Sequence, residues 1–253
     1  MYAEIFTSAI QSAAFVENDR EKLVEADDNA KIVVGIDPAG LEMGYPVFRT
    51  PGECDVDADV MIDFSSFKAV DAVIEYCTEK KLPLVECTTG LTEEQIGKLK
   101  EMSKSTAVLR SANMSLGINI LLKLIAQAAG ILSPAGFDME IVEKHHNLKK
   151  DAPSGTALAL ADSLNEACNN EFEYVYDRSR RHEERAAKEI GISAVRGGTI
   201  VGEHEVIFAG TDEVIEFKHT AYSKSIFGKG AIEAGKFLAG KPAGMYDMQD
   251  VIG

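Results

Sequence analysis

The chain has 253 residues, of which 45% are hydrophobic and 26% are charged, and its formal net charge is -15 at pH 7. This length and composition are typical of one large or two modest folded domains and argue against fibrous and disordered classes. The acidic excess disfavours nucleic acid and anionic membrane surfaces as partners, because the average field of the molecule would repel both.

The cysteines and the hydrophobic pattern indicate the compartment. The chain has four cysteines, Cys54, Cys77, Cys87 and Cys168. They are spaced too widely for a CxxC metal or redox pair and are too few for a disulfide scaffold. The longest apolar stretch, residues 118–132, is interrupted by Lys123 and Gln127, and the N-terminus has no basic region, so we predict no signal peptide or membrane span. These features predict a cytoplasmic protein without a metal site.

The first half of the chain alternates short apolar runs with helical patterns. Apolar runs typical of buried strands lie at residues 31–37, 58–64, 83–87 and 106–110. Residues 67–80 repeat apolar side chains at helical spacing, and residues 93–103 open with acids and end with lysines, as the helix dipole favours. This alternation predicts a Rossmann-like parallel sheet covered on both faces, with ligands at the carboxyl ends of the strands.

After residue 116 the pattern changes. It predicts a long apolar helix at 117–130, strands at 137–146, 189–201, 205–209 and 213–222, a polar surface excursion at 169–188, and a final helix at 228–240 that could return to the first domain. The predicted fold class is therefore α/β. A Rossmann-like domain comprises residues 1–116 and 225–253, and a second, α+β domain with an open mixed sheet comprises residues 117–224.

A basic segment, K-H-H-N-L-K-K-D-A-P-S-G-T-A, spans residues 144–157 of this acidic chain. His145 and His146 end the predicted strand, and either imidazole could donate a proton near neutral pH, with Lys149 in reach as a second donor. Paired histidines at a strand end are also often structural, and from the spacing alone both interpretations stay open.

The end of the same segment predicts an anion site. Ser154 is a good N-cap, and Gly155 and Thr156 then present backbone N–H groups at a helix N-terminus. Helix N-termini attract anions, and Lys149 and Lys150 add positive charge. The predicted ligand is a small polycarboxylate.

Several motifs resemble those of dihydrodipicolinate reductases, also called 4-hydroxy-tetrahydrodipicolinate reductases. They lie at residues 63–66 (D-F-S-S), 87–90 (C-T-T-G), 111–119 (S-A-N-M-S-L-G-I-N), 145–157, 196–210 and 219–231. The resemblance extends from about residue 32 to the C-terminus. It implies NAD(P)H-dependent reduction of a cyclic, unsaturated dicarboxylate in lysine and diaminopimelate biosynthesis, with loss of water. It also implies a dinucleotide-binding first domain and a second domain that binds substrate and builds a homotetramer through its sheet.

The resemblance also implies roles for particular residues. His145 matches the proton donor and Lys149 its partner acid. The positions that hold the substrate carboxylates match His146, Ser154, Gly155 and Thr156. The cofactor-binding positions match Asp37, Phe64, Thr88, Thr89, Gly90, Ser111, Ala112, Asn113, Met114, Lys224 and Phe227. Asp37 stands where such folds place an acid for the ribose hydroxyls, which favours NADH over NADPH, although Asp-Pro is equally a plain turn.

The chain departs from the family pattern in three places. Cys87 replaces a glycine, Lys224 stands where arginine is usual, and the first glycine is Gly35, so residues 7–14 (T-S-A-I-Q-S-A-A) lack the glycine-rich phosphate turn. Three explanations stay open for the N-terminus: divergence with loss of tight nucleotide binding, a frame difference in the recorded sequence, or an unusual loop that still holds the cofactor. The competing functional hypotheses are a catalytically impaired dicarboxylate-binding homologue and a dehydrogenase of another small acid.

Overall fold

A computed structural model describes residues 3–8, 22–40 and 42–253 of the chain. The chain divides into two compact units, Met1–Ser115 with Ser225–Gly253, and Leu116–Lys224. The strands are β1 Ala3–Ser8, β2 Ala30–Ile36, β3 Val47–Phe48, β4 Val60–Asp63, β5 Leu84–Glu86, β6 Ala107–Arg110, β7 Asp138–His145, β8 Glu173–Tyr176, β9 Glu189–Arg196, β10 Gly202–Ala209, β11 Val214–Ala221 and β12 Gly244–Tyr246. The helices are α1 Val70–Lys80, α2 Glu93–Met102, α3 Leu116–Leu132, α4 Gly155–Ala167, α5 Ser225–Leu238 and α6 Met248–Ile252.

The first unit is built on a seven-stranded parallel sheet in the order β12-β6-β5-β4-β1-β2-β3. Buried side chains of the sheet, such as Met61 and Leu84, pack with Val73 of α1 and Leu99 of α2. The short elements β3, β12 and α6 were not predicted, because two to five residues carry too little periodicity. The Rossmann-like sheet is confirmed.

Local chemistry sets the ends of these helices. Thr92 caps α2 through a capping box with Gln95, in which the Thr92 side chain accepts from the Gln95 backbone N–H. Lys81 ends α1 in a left-handed conformation at φ 52°. The helix predicted at 67–80 begins at Val70, and the one predicted at 228–240 spans Ser225–Leu238. Such shifts of a few residues are the usual error at helix ends.

The second unit has a five-stranded mixed sheet in the order β11-β10-β7-β9-β8. β10 runs antiparallel to β7 and β11, whereas β9 runs parallel to β7 and β8. One face packs on α3 and α4 through fully buried side chains that include Met139, Ile141, Leu160 and Phe208. Together with the parallel sheet of the first unit, this confirms the predicted α/β class with a second domain on an open mixed sheet.

Two predictions for the second unit are wrong in detail. The strand predicted at 189–201 ends at Arg196, because residues 197–201 turn through Gly198, whose φ is +49°. Residues 169–188 are not only a surface excursion, since β8 pairs with β9 at the sheet edge. Only Val175 of β8 is buried, and an exposed edge strand has a polar sequence that hides its periodicity.

Within the described residues, no helix is both long and apolar enough to cross a membrane. None of the cysteines Cys54, Cys77, Cys87 and Cys168 is in a disulfide. The described part of the chain has no cluster of three or more His, Cys, Asp or Glu side chains that could hold a metal ion.

Candidate active site

The basic segment connects β7 to α4. His145 is the last residue of β7, and Ser154 caps α4 with extended backbone angles and an Oγ that accepts the Ala157 N–H at 3.1 Å. The predicted N-cap is therefore confirmed. The cap engages the third amide of the helix, and the first amide, that of Gly155, has no acceptor within the helix.

A buried glutamate lies beneath His145. Residues two apart on a strand share a face, so Glu143 lies beside His145 on the face that packs against the helices. The Glu143 side chain is fully buried, and its Oε2 lies 2.6 Å from His145 Nδ1. Its Oε1 accepts the backbone N–H of Ser154 at 3.0 Å. This carboxylate thus ties the strand end to the helix start.

Arg196 completes the group from the neighbouring strand. Its two terminal nitrogens donate to Glu143 Oε2 at 2.7 Å and to Oε1 at 2.6 Å, and one of them also donates to the Asp151 carbonyl at 2.6 Å. The strand register places Arg196 directly beside His145. A bidentate guanidinium pair of this kind fixes the plane of the carboxylate.

These contacts determine the protonation of the pair. Burial favours a raised pKa for Glu143, but the hydrogen bonds from Arg196, His145 and Ser154 outweigh it and leave the pKa below its usual value. Burial lowers the pKa of His145, and the positive charges of Lys149 and Arg196 lower it further, although Glu143 opposes them. In the free protein His145 is therefore a neutral imidazole whose Nδ1–H donates to Glu143 Oε2, and Nε2 is the nitrogen left for a ligand.

Two further histidines line the same sheet face. Strand register pairs His204 of β10 with Glu143 on one side and with His219 of β11 on the other. His204 Nε2 lies 3.0 Å from Ser154 Oγ, and its ring meets that of His145 edge to face at a centroid distance of 5.1 Å. Burial, followed by the nearby His145, lowers the pKa of His204 to about 4. His204 is thus a neutral support for the cap residue.

Glu143, Arg196, His204 and His219 were not singled out from the sequence. Glu143 lies two positions before His145, so strand alternation could have found it. The others lie within the motifs at 196–210 and 219–231, but a motif does not say which strands pair.

The remaining predicted substrate residues lie in the same segment. Lys149 is partly buried and pairs with Asp151 at 2.9 Å, and its charge acts on both His145 and His204. His146 and Thr156 are half-buried, while Gly155 is exposed at the first position of α4. The second unit therefore gathers two histidines, a lysine and a capped helix N-terminus between the end of β7 and the start of α4.

The predicted cofactor residues of the first unit follow its parallel strands. Asp37 follows β2, Phe64 follows β4, Thr88, Thr89 and Gly90 follow β5, and Ser111, Ala112, Asn113 and Met114 follow β6. Parallel neighbours place all these positions at one edge of the sheet. Phe227 lies in α5, which packs on β4 and β5. Lys224 is the exposed last residue of the second unit.

Two local features of this edge fit a dinucleotide. Asp37 is 3% exposed, its Oδ1 accepts the Ala39 N–H at 2.7 Å, and its Oδ2 has no hydrogen-bond partner among the described residues. A buried carboxylate oxygen without a donor can accept a hydrogen bond from a ribose hydroxyl. Gly90 has a φ of +77°, which favours glycine. A Cβ at this position would meet no described atom within 4 Å, so the loop backbone is open to a ligand.

The glycine-free N-terminal loop falls mostly outside the described residues, which resume at residue 22 after β1. β1 itself pairs with β2 and β4 in the middle of the sheet. The N-terminus thus supplies the strand that normally precedes a phosphate-binding turn.

Comparison with known proteins covers nearly the whole chain. Residues 8–114 match the family model of the dihydrodipicolinate reductase N-terminus, and residues 117–252 match that of its C-terminus. A relative from Caldanaerobacter subterraneus subsp. tengcongensis, named 4-hydroxy-tetrahydrodipicolinate reductase, is 49% identical over 91% of this chain and 91% of its own. A relative of the same name from Clostridium tetani is 48% identical over 87% of this chain and 86% of its own.

A solved structure shares the fold. It is a dipicolinate-bound dihydrodipicolinate reductase from Paenisporosarcina sp. TG-14, which superimposes with a TM-score of 0.81 at 20% identity and covers 100% of both chains. With two family models spanning almost all of its residues and relatives at nearly half identity, this chain belongs to the dihydrodipicolinate reductase family.

Proposed function

We propose that this chain reduces 4-hydroxy-tetrahydrodipicolinate to tetrahydrodipicolinate with a hydride from NADH or NADPH, a proton and loss of water, as a step of lysine and diaminopimelate biosynthesis. The names of its relatives support this reaction. The structural observation that carries the proposal is His145, held at Nδ1 by a buried Glu143 next to a capped helix N-terminus.

The second unit, residues 117–224, would bind the dicarboxylate and carry the oligomer interface. His146, Lys149, Ser154, Gly155 and Thr156 supply hydrogen-bond donors and positive charge within one segment. Opposite charges about 4 Å apart in a partly desolvated site attract by roughly 4 kcal/mol, against about 1 kcal/mol in water, so the segment can hold a dianion in an acidic protein. Lys149 would then exchange its contact with Asp151 for a substrate carboxylate.

His145 would be the proton donor, with Lys149 as partner acid. The free imidazole is neutral because burial and nearby cations lower its pKa. A bound dianion would compensate those cations and favour the imidazolium, whose Nε2 proton is then available to the substrate. Glu143 stabilises that charged form through Nδ1 and keeps the ring in one orientation.

The first unit, residues 1–116 and 225–253, would hold the dinucleotide, which supplies the hydride when bound. Asp37 is placed to accept the ribose hydroxyls through Oδ2, and its charge would repel a 2′-phosphate, so we expect NADH to be preferred over NADPH. The other contacts would come from Phe64, Thr88, Thr89, Gly90, Ser111, Ala112, Asn113, Met114, Lys224 and Phe227.

Assembly as a homotetramer is proposed through the open face of the second sheet. On β7 this face carries Val142, opposite the buried Met139 and Ile141. Val195 and Val214 also lie on it, and they are 44% and 56% exposed. Exposed apolar side chains on a sheet face are typical of subunit contacts. Four free thiols are consistent with a cytoplasmic enzyme.

Cofactor titration with a turnover assay tests the proposal. The purified protein is titrated with NADH and NADPH, with and without pyridine-2,6-dicarboxylate, and NADH oxidation is followed on freshly generated substrate. We expect binding of both nucleotides, with NADH the tighter. A protein that binds the dicarboxylate but binds neither NADH nor NADPH would contradict the reductase and favour the impaired homologue. Sedimentation measures the subunit number in the same samples.

A further inference from the structure

Two carboxyl side chains end neighbouring strands inside the core of the first unit. Asp63 is the last residue of β4 and Glu86 is the last residue of β5, and strand register pairs them directly. Both are buried, with exposures of 0% and 1%. They share a face with Met61 and Leu84, which belong to the hydrophobic core. Two negative charges buried on neighbouring strands would repel each other strongly.

Hydrogen bonds distinguish the two carboxyl groups. Asp63 accepts the Ser65 N–H at 2.8 Å, the Ser65 hydroxyl at 3.0 Å and the Thr88 hydroxyl at 3.4 Å. Glu86 Oε1 accepts the Thr88 N–H at 2.7 Å, but its Oε2 is buried without a donor among the described residues. Three donors therefore converge on Asp63, whereas Glu86 Oε2 lacks the partners that a carboxylate oxygen needs.

A proton on Glu86 removes the repulsion between two buried negative charges and turns the unpartnered oxygen into a donor. The acid can then donate to Asp63, with which strand register pairs it directly. Burial, and then the charge of Asp63, raise the pKa of Glu86 to about 9. Among the described residues, Cys77 of α1 also interacts with both carboxyl groups, and burial raises the pKa of its thiol, so the thiol stays neutral.

We propose that Asp63 and Glu86 hold a single proton between them at neutral pH, carried by Glu86, and that this pair positions Thr88 at the start of the Thr88–Gly90 loop. Both are positioning residues, since they act on a ligand only through Thr88. The inference rests on the proposed function only in giving that loop a role in cofactor binding.

The pH dependence of thermal unfolding tests the shared proton. The unfolded chain loses the Glu86 proton near the ordinary pKa of 4.5, whereas the folded chain retains it up to about 9. Raising the pH across this window therefore favours unfolding. Glu86→Gln keeps the shape and a donor to Asp63 but does not titrate, so we expect its Tm to rise relative to wild type as the pH increases from 5 to 9.

Glu79→Gln is the matched control, because Glu79 is an exposed glutamate of α1 in the same unit. Its Tm should follow wild type at every pH. A constant Tm difference between Glu86→Gln and wild type across the window would overturn the shared proton. This measurement needs no ligand, so it does not depend on the proposed function.

Truncation and rescue test the positioning role. Glu86→Ala removes the acceptor of the Thr88 N–H, and we expect faster amide hydrogen exchange at Thr88 and an NADH Kd raised by about tenfold, which corresponds to one buried hydrogen bond. Glu86→Gln should restore both at pH 7. Unchanged Thr88 exchange in Glu86→Ala would overturn the positioning role, whereas failure of wild type to bind either nucleotide would count against the reductase alone.

Discussion

A Cβ atom on Gly202 would lie 3.2 Å from Nε2 of His145 and 3.5 Å from its Cδ2. Gly202 begins β10, next to the end of β7, and its φ is not in the left-handed region. The glycine is therefore explained by space beside the histidine rather than by backbone conformation. Because Glu143 engages Nδ1, Gly202 keeps clear the nitrogen that would face the substrate.

Gly202→Ala should lower turnover by about tenfold or more while changing Tm little, since a displacement well under 1 Å at a reacting group is costly. Steady-state kinetics and thermal unfolding measure the two effects. Gly197→Ala is the matched control, because a Cβ there meets nothing within 4 Å. Equal turnover in the two variants would contradict a role for the space at Gly202.

His145→Gln should lower kcat by about 100-fold or more and change KM for the dicarboxylate much less, because it removes the proposed proton donor but preserves a polar side chain. His182→Gln is the matched control, because His182 is an exposed histidine of the same unit, and this variant should retain full turnover. Normal turnover in His145→Gln would show that the proton comes from another group.

Lys149→Ala should raise KM for the substrate by about tenfold and also lower kcat, because in the proposed mechanism Lys149 attracts the dianion, and its charge acts on His145. Its neighbour Lys150 is exposed, and Lys150→Ala is expected to change KM only slightly. A change in kcat alone would argue against a carboxylate contact.

Arg196→Met should destabilise the protein by about 3–5 kcal/mol, because it leaves the Glu143 charge buried without its bidentate partner. Urea unfolding at pH 7 measures the loss. The double variant Glu143→Gln with Arg196→Met removes both charges and should recover much of the stability. If the double variant is as unstable as the two single changes combined, the loss is one of packing and not of charge.

The affinity for pyridine-2,6-dicarboxylate should fall as the pH rises. Burial lowers the pKa of free His145, and the bound dianion favours its protonated form, so binding takes up a proton. Titration calorimetry in two buffers of different ionisation enthalpy should detect an uptake of up to about one proton. His145→Gln should abolish it, and a buffer-independent enthalpy in wild type would contradict the coupling.

Local sequence was enough for the longer helices and strands and for the segment that carries the proposed chemistry. The cap at Ser154 and the strand end at His145 follow from hydrogen-bonding groups and alternation within a few residues. The β5 loop with Gly90 is also a local pattern. The weak edge strand β8 was missed because only Val175 marks a buried face.

The partners of these groups depend on which strands become neighbours. Arg196 lies 53 residues from Glu143, His204 lies 50 from Ser154, and Thr88 lies 25 from Asp63. The Arg196 and Thr88 contacts exist because parallel register brings two strand ends together, and the His204 contact exists because α4 packs on the sheet. Burial there shifts the pKa values of Glu143 and His204. Sequence by itself determined the family, the two-domain pattern and the basic segment. Only tertiary structure decided that Arg196 and His204 join this segment and which carboxyl pair lies beneath Thr88, because strand order and register are set by packing of the whole sheet.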